Sequence, residues 1–345
     1  MKSTFDEKYT LETFKKLVDV DSTTSKCDDI QKLVLAMVSE LGYKSCVLHK
    51  GGVIVDLGGE GNPLVVTAHL DDIGLMVRHI NSDGSLKVVT IGGLYPTYSV
   101  TENVRVYTRD GKVFTGTICR SPNSVHVSED ELRNNVGDFA KDVRIVLDED
   151  VKCKQDVVDL GIEVGDIVAL FPRTEFVNGY IKSRFVDDKA AVAILFNAMR
   201  TIKENNIKLP RNVLFYFAEY EEIGHGTSWL PSGVKDILAI DIAPTGDEQT
   251  SDEKKVSIFC KDSRFPYHYE MTNELREVAK ENNIDFVMDI FTPHYGTDCD
   301  TSIVAGHDVR HAAIGFGTSN SHGYERTHVD GLKNTYDLLM AYLLK

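Results

Sequence analysis

The spacing of the apolar residues changes twice along the chain, and these changes limit the folds that the chain can adopt. Up to about residue 76, and again from about residue 179, stretches with helical spacing alternate with short apolar runs, as in alternating helices and strands. Between residues 77 and 178, short β-branched runs are separated by glycine turns such as Asp110-Gly111. The chain has 345 residues, whereas one hydrophobic core rarely serves more than about 250–300. We therefore predict two domains.

The predicted fold class is α/β. A mixed-sheet α/β/α domain is formed by residues 1–76 and 179–345, and an all-β, barrel-like domain is inserted at residues 77–178. The predicted helices lie around residues 11–18, 30–41, 189–203, 274–282 and 332–344. The predicted strands lie at residues 53–55, 64–68, 212–217, 237–241 and 311–316 of the first domain, and at 87–91, 104–108, 113–118, 143–147 and 166–171 of the second.

Charge and composition exclude several classes of partner. The chain has 38 basic and 53 acidic residues, a net charge of −15 with neutral histidines, and no basic cluster longer than Lys254-Lys255. A nucleic-acid groove or an anionic membrane surface needs a basic patch, so we expect neither partner. No apolar run approaches the roughly 18 residues of a membrane helix, and residues 1–19 lack the apolar core of a signal peptide. We therefore expect a cytoplasmic protein.

Clusters of polar residues follow the predicted parallel strands, at the end where open α/β sheets bind their ligands. The clusters contain His69 and Asp71, Asp187 and Asp188, Glu221 and Glu222, Asp241, and two histidines, His322 and His328. Most of these residues have a second interpretation. Asp71 can orient the His69 imidazole or ligate a metal itself, and one Asp of the 187–188 pair can cap the following helix. Adjacent glutamates repel each other unless a cation lies beside them, although a solvated loop of an acidic protein also tolerates them.

The residue types of these clusters favour a centre with two divalent ions. They supply imidazoles and carboxylates but no cysteine, a ligand set that suits zinc, cobalt or manganese. The carboxylates outnumber what one catalytic zinc with three protein ligands needs, and they suffice for two ions that share an aspartate. The six cysteines form no CxxC pair, and the chain has neither a Gly-x-Ser-x-Gly elbow nor a glycine-rich loop after its first strand. A zinc finger, a serine triad and a nucleotide cradle are therefore disfavoured.

The order of the motifs resembles that of the M42 family of dinuclear metallo-aminopeptidases, relatives of the deblocking, glutamyl and tetrahedral aminopeptidases. The matching pieces, in family order, are Ala68-His69-Leu70-Asp71-Asp72-Ile73-Gly74, Leu160-Gly161-Ile162-Glu163-Val164-Gly165-Asp166, Asp187-Asp188, Glu221-Glu222-Ile223-Gly224, Asp241, Gly296-Thr297-Asp298 and a terminal histidine before a helix. Each piece is short, but together they span almost the whole chain, including the inserted β-rich segment. The resemblance implies that the α/β part is a metallopeptidase domain.

The resemblance also implies which residues hold the metal ions. His69 and Asp241 correspond to the private ligands of one ion. Glu222 and His322 correspond to those of the other ion, and Asp187 corresponds to the bridge between the two. The two ions are expected to be zinc or cobalt, with manganese as a third candidate.

The catalytic roles implied by the resemblance fall on two carboxylates. Asp71 corresponds to the residue that orients His69, and Glu221 to the general base that takes a proton from the metal-bridging water. For the last ligand, His322 is preferred over His328 because it stands at a distance ahead of the terminal helix similar to that of the family's ligand. Two stretches depart from the family pattern. A Thr-Ser-Asn-Ser-His-Gly-Tyr run at 318–324 replaces Arg-Tyr-x-His-Ser-Pro, and Asp-Ser-Thr-Thr-Ser-Lys at 21–26 replaces Ser-Gly-x-Glu.

The implied function is a cytosolic aminopeptidase that removes N-terminal residues from short peptides. The resemblance further implies a homo-oligomer assembled through the β-rich domain, with a dodecamer as one expectation. The main alternative is a related dinuclear amidohydrolase that acts on acylated amino acids or on C-terminal residues. A glycoside hydrolase is disfavoured, because its two carboxylates stand about 5–10 Å apart on opposite sides of the bond, which adjacent glutamates fit poorly. A non-catalytic scaffold is disfavoured because every ligand position is kept.

Overall fold

The computed structural model describes residues 3–121, 124–127 and 137–345. The helices are α1 (Glu7–Val18), α2 (Asp28–Glu40), α3 (Lys154–Leu160), α4 (Val186–Glu204), α5 (Tyr269–Glu281), α6 (Asp298–Val304) and α7 (Val329–Leu343). The strands are β1 (Lys44–Val47), β2 (Val53–Gly58), β3 (Leu64–His69), β4 (Gly74–Ile80), β5 (Leu86–Ile91), β6 (Asn103–Tyr107), β7 (Val113–Arg120), β8 (Val143–Leu147), β9 (Ile167–Leu170), β10 (Glu175–Val177), β11 (Tyr180–Ser183), β12 (Val213–Ala218), β13 (Asp236–Pro244), β14 (Val256–Lys261), β15 (Phe286–Ile290), β16 (Arg310–Thr318) and β17 (Glu325–His328).

The largest sheet has eight strands in the order β1-β2-β12-β3-β13-β16-β14-β15. Its four central strands, β12, β3, β13 and β16, run parallel to one another, while β1, β2 and the β14–β16 contact are antiparallel. The sheet is therefore mixed, and the predicted fold class is confirmed. All six residues of β3 are buried, as expected for a strand in the middle of a parallel sheet that is covered on both faces.

Helices cover both faces of this sheet, and the sequence of β13 shows why. Leu238, Ile240 and Ile242 belong to one hydrophobic core, together with residues of α1, α4 and α7. Ile237 and Ala239 point the opposite way, into a second core that contains Cys299 of α6. Successive side chains of a strand alternate between its two faces, so an apolar run without alternation requires a core on each side. The predicted α/β/α layering follows from that requirement.

Helix α4 lies closest to the centre of the protein. Its segment from Val186 to Met199 is buried on all sides, which is typical of a core helix rather than an amphipathic surface helix. Three alanines between Ala190 and Ala193 favour the helical backbone and let it pack closely against β3 and β13. The start of α4 is therefore fixed beside the ends of those strands.

The segment between β3 and β10 contains a closed barrel in the strand order β4-β5-β8-β7-β6-β9. The barrel confirms the prediction of a β-rich, barrel-like unit, and β8 has the predicted bounds. The segment also contains α3, a two-turn helix that the sequence pattern did not predict. Only Val157 of α3 is buried, so it has too short an apolar stripe to give a helical signal. The domain boundaries at 76/77 and 178/179 stay a prediction.

Four parallel strands bring their carboxyl ends to one edge of the large sheet. β12 and β3 end in register, with Ala218 beside His69. β13 pairs with β3 in a register that places Asp241 level with His69. β16 runs beside β13, with Asp241 opposite Gly315. The polar residues that follow these strands consequently meet in one place, as proposed from the sequence. Among the described residues, no helix has the length and apolar character needed to span a membrane.

Candidate metal centre

Donor atoms from the sequence-predicted ligands gather into two overlapping groups at this edge. One group consists of His69, Asp187 and Asp241, and the other of Asp187, Glu222 and His322. Within each group, the donor atoms lie within 4.8 Å of one another. Asp187 belongs to both groups. The structure thus brings together all five residues, which come from positions as far apart as 69 and 322.

Each histidine presents the same ring nitrogen to these groups. His69 contacts the backbone oxygen of Asp71 through Nδ1 at 2.9 Å, and His322 contacts the backbone oxygen of Gly93 through Nδ1 at 3.0 Å. A backbone carbonyl only accepts hydrogen bonds, so we assign the proton of each ring to Nδ1. Nε2 of each ring is then the atom that faces the carboxylates, and it would offer its lone pair to a bound cation. Backbone contacts of this kind commonly fix histidine ligands of metals.

Asp187 lies between the two histidines and offers one carboxylate oxygen to each. Its Oδ1 is 3.0 Å from Nε2 of His69, and its Oδ2 is 3.6 Å from Nε2 of His322. Asp188 faces away from this gap, because its Oδ2 accepts a hydrogen bond from the backbone N–H of His69 at 3.2 Å. The residue before α4 gives it no side-chain cap. The two aspartates therefore have separate roles, and Asp187 is the one that faces the donors.

The two adjacent glutamates are held by the carboxylate of Asp71. This fully buried carboxylate accepts hydrogen bonds from the backbone N–H groups of Glu221 at 3.1 Å and Glu222 at 3.3 Å, and from the Thr24 hydroxyl at 2.7 Å. It lies 3.8 Å from Nδ1 of His69, farther than the backbone oxygen of the same residue. Asp71 therefore links the strand that carries His69 to the loop that carries the glutamates.

Crowded negative charge distinguishes this cluster from an ordinary acidic surface. Burial raises the pKa of Glu221, Glu222 and Asp241 well above the usual range, and neighbouring carboxylates raise it further. Burial also acts to raise the pKa of Asp187, but the hydrogen bond and charge of His69 outweigh it and lower that pKa. Buried carboxylates at such distances stay ionised together only beside added positive charge. The imidazole and carboxylate donors, in two groups that share Asp187, fit a pair of divalent cations.

The glutamates differ in what their side chains face. Oε2 of Glu222 is 3.5 Å from Nε2 of His322, within the second donor group. Oε2 of Glu221 is 3.7 Å from Nε2 of His69, and Glu221 belongs to neither donor group. Both glutamates line a cavity of about 480 Å³, together with Arg264 and Tyr295. A larger groove of about 1080 Å³ lies along the two N-terminal helices and shares no lining residue with this cavity.

The alternative last ligand, His328, lies elsewhere. Its Nδ1 contacts the backbone N–H of Asp330 at 3.1 Å and caps α7, and its ring packs on Tyr180 at 4.6 Å between centroids. Neither donor group contains it. The geometry therefore favours His322, in agreement with the choice made from its distance to the terminal helix.

Two residues beside His322 had no signal in the sequence. Gly93 belongs to the loop after β5, and a Cβ at this position would lie 2.6 Å from Nδ1 of His322, so a side chain there would displace the ring. Glu325 begins β17, is 2% exposed, and accepts hydrogen bonds from the backbone N–H groups of both Asp187 and His322. Contacts between distant segments of this kind leave no spacing to recognise.

Comparison with known proteins agrees with the motif order. The family model described as M42 glutamyl aminopeptidase matches residues 51–338. The chain is also 38% identical over 338 residues to the Bacillus subtilis (strain 168) protein YhfE, provisionally named an aminopeptidase, with 97% of each chain covered. The chain belongs to the M42 peptidase family. As a member, it is a peptidase, and the resemblance inferred from seven short motifs is confirmed.

Solved structures with this fold superpose on almost the whole chain. The Pyrococcus horikoshii TET1 peptidase, described as able to assemble into a tetrahedron or a large octahedral shell, superposes with a TM-score of 0.85 at 21% identity, covering 97% of this chain and 99% of its own. An aminopeptidase from Desulfurococcus kamchatkensis superposes with a TM-score of 0.86 at 23% identity, covering 98% and 95%. At these identities the comparison establishes the fold of this M42 peptidase.

Proposed function

We propose that this M42 peptidase is a dinuclear metal-dependent aminopeptidase that releases the first residue of short peptides. The observation that carries the proposal is the sharing of Asp187 between two donor groups, each completed by a histidine and a second carboxylate. A single catalytic zinc would need one such group. A pair of neighbouring ions requires two donor groups that share a carboxylate, as these two do.

In this proposal, His69 and Asp241 would hold one cation, Glu222 and His322 would hold the other, and Asp187 would serve both. When bound, two divalent cations would polarise the scissile carbonyl and supply a water molecule of lowered pKa. The backbone contacts of the two histidines keep Nε2 directed at the cations. Zinc or cobalt suits this imidazole and carboxylate set, and manganese remains a candidate.

Glu221 is the proposed general base. It lies next to a ligand in sequence and 3.7 Å from a ligand ring, yet it is in neither donor group, so its carboxylate is free to exchange a proton. It accepts a proton from the attacking water and donates it to the amine that leaves as the peptide bond breaks. The Asp71 carboxylate accepts a hydrogen bond from the Glu221 backbone N–H and thereby positions the backbone from which the Glu221 side chain extends.

Hydrolysis of matched peptides tests the proposal. Protein stripped of metal is incubated with zinc, cobalt or manganese, and with tripeptides that are free, N-acetylated, or amidated at the C-terminus. We expect metal-dependent release of the first residue from the free and amidated peptides and none from the acetylated ones. Metal-free protein is the control, since the carboxylates alone cannot polarise the substrate.

The same panel separates the alternative activities. Cleavage of the acetylated peptides alone would favour the amidohydrolase that acts on acylated substrates. Release of C-terminal residues, blocked by amidation, would favour a carboxypeptidase. Absence of turnover with every metal, in protein shown to bind two ions, would contradict the aminopeptidase.

Replacing His322 and His328 one at a time shows which of them binds metal and which only caps a helix. We expect His322→Ala to lower the metal content after dialysis from two ions to one, because a donor of the second group is lost. His328→Ala should keep two ions and lower stability by only about 0.5–2 kcal/mol, the usual range for losing a helix cap. Elemental analysis and thermal unfolding measure both effects. Metal loss in the His328 variant alone would reverse the assignment.

Assembly and location are part of the proposal. The TET1 peptidase, which shares the fold, is described as assembling into a tetrahedron or a large octahedral shell, and this supports the expectation of a homo-oligomer, with a dodecamer as the size to test. We propose a cytoplasmic enzyme, and its acidic composition disfavours a nucleic-acid or anionic-membrane partner. Light scattering at several protein concentrations measures the subunit number directly.

A further inference from the structure

Glu325 connects two segments of chain that each carry a proposed ligand. Its Oε2 accepts a hydrogen bond from the backbone N–H of Asp187 at 3.0 Å, and its Oε1 accepts one from the backbone N–H of His322 at 2.9 Å. The residue is 2% exposed, and the charge of the buried Arg184 guanidinium, which pairs with Glu102 at 3.3 Å, also acts on it. Both oxygens of a buried carboxylate are thus used to hold backbone beside the site.

The local fold explains how one side chain reaches both segments. Strands β11 and β17 pair with Ser183 opposite Glu325, and the chain continues from Ser183 through Arg184 to Asp187 at the start of α4. On the other side, His322 precedes Glu325 by three residues and has a φ of +61°, a left-handed conformation that non-glycine residues rarely adopt. The carboxyl group of Glu325 thus accepts a hydrogen bond from one N–H at the start of α4 and from one N–H in the loop between β16 and β17.

We propose that Glu325 is a positioning residue that sets the separation between Asp187 and His322, and thereby the geometry of the second metal site. This inference rests on the proposed dinuclear function. Glu325 belongs to neither donor group. It acts through the backbone of two ligands, because each of its carboxyl oxygens accepts a hydrogen bond from one of their N–H groups.

The two metal sites should depend on Glu325 unequally. His69 and Asp241 lie on β3 and β13, which pair directly in the large sheet, so their separation is set by the sheet itself. His322 lies on a loop after β16, and its position relative to Asp187 depends on the Glu325 carboxylate and on the Nδ1 contact with Gly93. Loss of the Glu325 carboxyl group should therefore lower the metal affinity of the site formed by Glu222 and His322 more than that of the site formed by His69 and Asp241.

A cobalt titration of Glu325→Gln tests this inference. The glutamine has the same shape but only one acceptor oxygen, and its amide nitrogen would face one of the two N–H donors. Metal-free protein is titrated with Co²⁺, and the visible absorption of bound cobalt reports both the number of ions and their coordination. We expect the first ion to bind as in the wild type and the second about 10–100-fold more weakly, the usual effect of losing a partner that orients a ligand. The cobalt spectrum at saturation should change as well.

Two further variants separate positioning from folding. Glu325→Asp keeps both carboxyl oxygens on a side chain that is one carbon shorter, so its second-site affinity should lie between those of the wild type and the glutamine variant. Glu253→Gln is the matched control: Glu253 accepts a hydrogen bond from Ser319 at 2.7 Å and pairs with Arg326, one residue from Glu325, without touching a ligand. This control should bind two cobalt ions normally, and thermal unfolding of the metal-free proteins checks that each variant is folded.

The outcomes are distinguishable. A wild type that binds two cobalt ions beside a Glu325→Gln variant with the same affinities and spectrum overturns the positioning role and leaves the proposed function intact. If Glu325→Gln and Glu253→Gln weakened the binding of both cobalt ions to the same extent, the positioning role would also be overturned, because the effect would then be structural. A wild type that binds no cobalt overturns the proposed function and, with it, the inference that rests on it.

Discussion

Glu221→Gln is expected to lower kcat roughly 10²–10⁴-fold while both metal ions stay bound, since this is the usual contribution of a positioned general acid or base. The substitution keeps the shape of the side chain and its backbone hydrogen bond to Asp71, but removes the proton acceptor. Glu221 is in neither donor group, so the cations lose no ligand. KM should change little, because binding of the peptide does not depend on the proton transfer.

The neighbouring glutamate provides the matched comparison. Glu222→Gln should lose activity and also release a metal ion, because Glu222 belongs to the second donor group. Elemental analysis beside steady-state kinetics on one free tripeptide distinguishes the two variants. If Glu221→Gln lost its metal and Glu222→Gln kept both ions, the roles of the two residues would have to be exchanged. If Glu221→Gln retained near-normal kcat with both ions bound, another group would have to move the proton.

The position of the site could be predicted from sequence because it depends on strand ends. A continuous apolar run such as β3 must be buried on both faces, and in parallel strands the polar residues after each run collect at one edge. His69 and Asp241 are recognisable for this reason, since each terminates or lies within such a run. Helices α1 and α4 gave equally clear signals through their spacing. In this part of the chain, the local pattern of apolar residues is enough to indicate where each element lies in the fold.

The residues that arrange the ligands could not be predicted, because their roles depend on contacts between distant segments. Glu325 lies 138 residues from Asp187 in sequence, and Gly93 lies 229 residues from His322. Neither contact follows from helical or strand periodicity. The edge strand β15 was also missed, since most of its residues are only partly buried and its apolar pattern is weak. Sequence identified candidate donors, and the tertiary structure was needed to show what orients them.

A buried ion pair connects the first turns of α4 to the segment that follows β3, close in sequence to two of the proposed metal ligands. Nζ of Lys189 lies 2.6 Å from Oδ2 of Asp72 and 3.1 Å from the backbone oxygen of Val20. The two side chains are 0% and 2% exposed. Burial raises the pKa of Asp72 to about 6, against the opposing effect of the Lys189 charge, so the carboxylate depends on this lysine to remain ionised. Removing the lysine leaves a buried carboxyl group that must either stay charged without its partner or take up a proton.

Lys189→Met should therefore lower the free energy of unfolding by about 3–5 kcal/mol, the range measured when one partner of a buried pair is removed. Urea denaturation of the metal-free protein measures this loss without a contribution from bound cations. Adding Asp72→Asn removes the unpaired carboxyl group and keeps an acceptor for the Ser22 hydroxyl, so the double variant should recover more than half of the loss. Lys182→Met, which breaks an ion pair with Glu175 at the protein surface, should lower the free energy of unfolding far less than Lys189→Met does. If the Lys182 and Lys189 variants were equally stable, the buried pair would contribute no more than a surface contact.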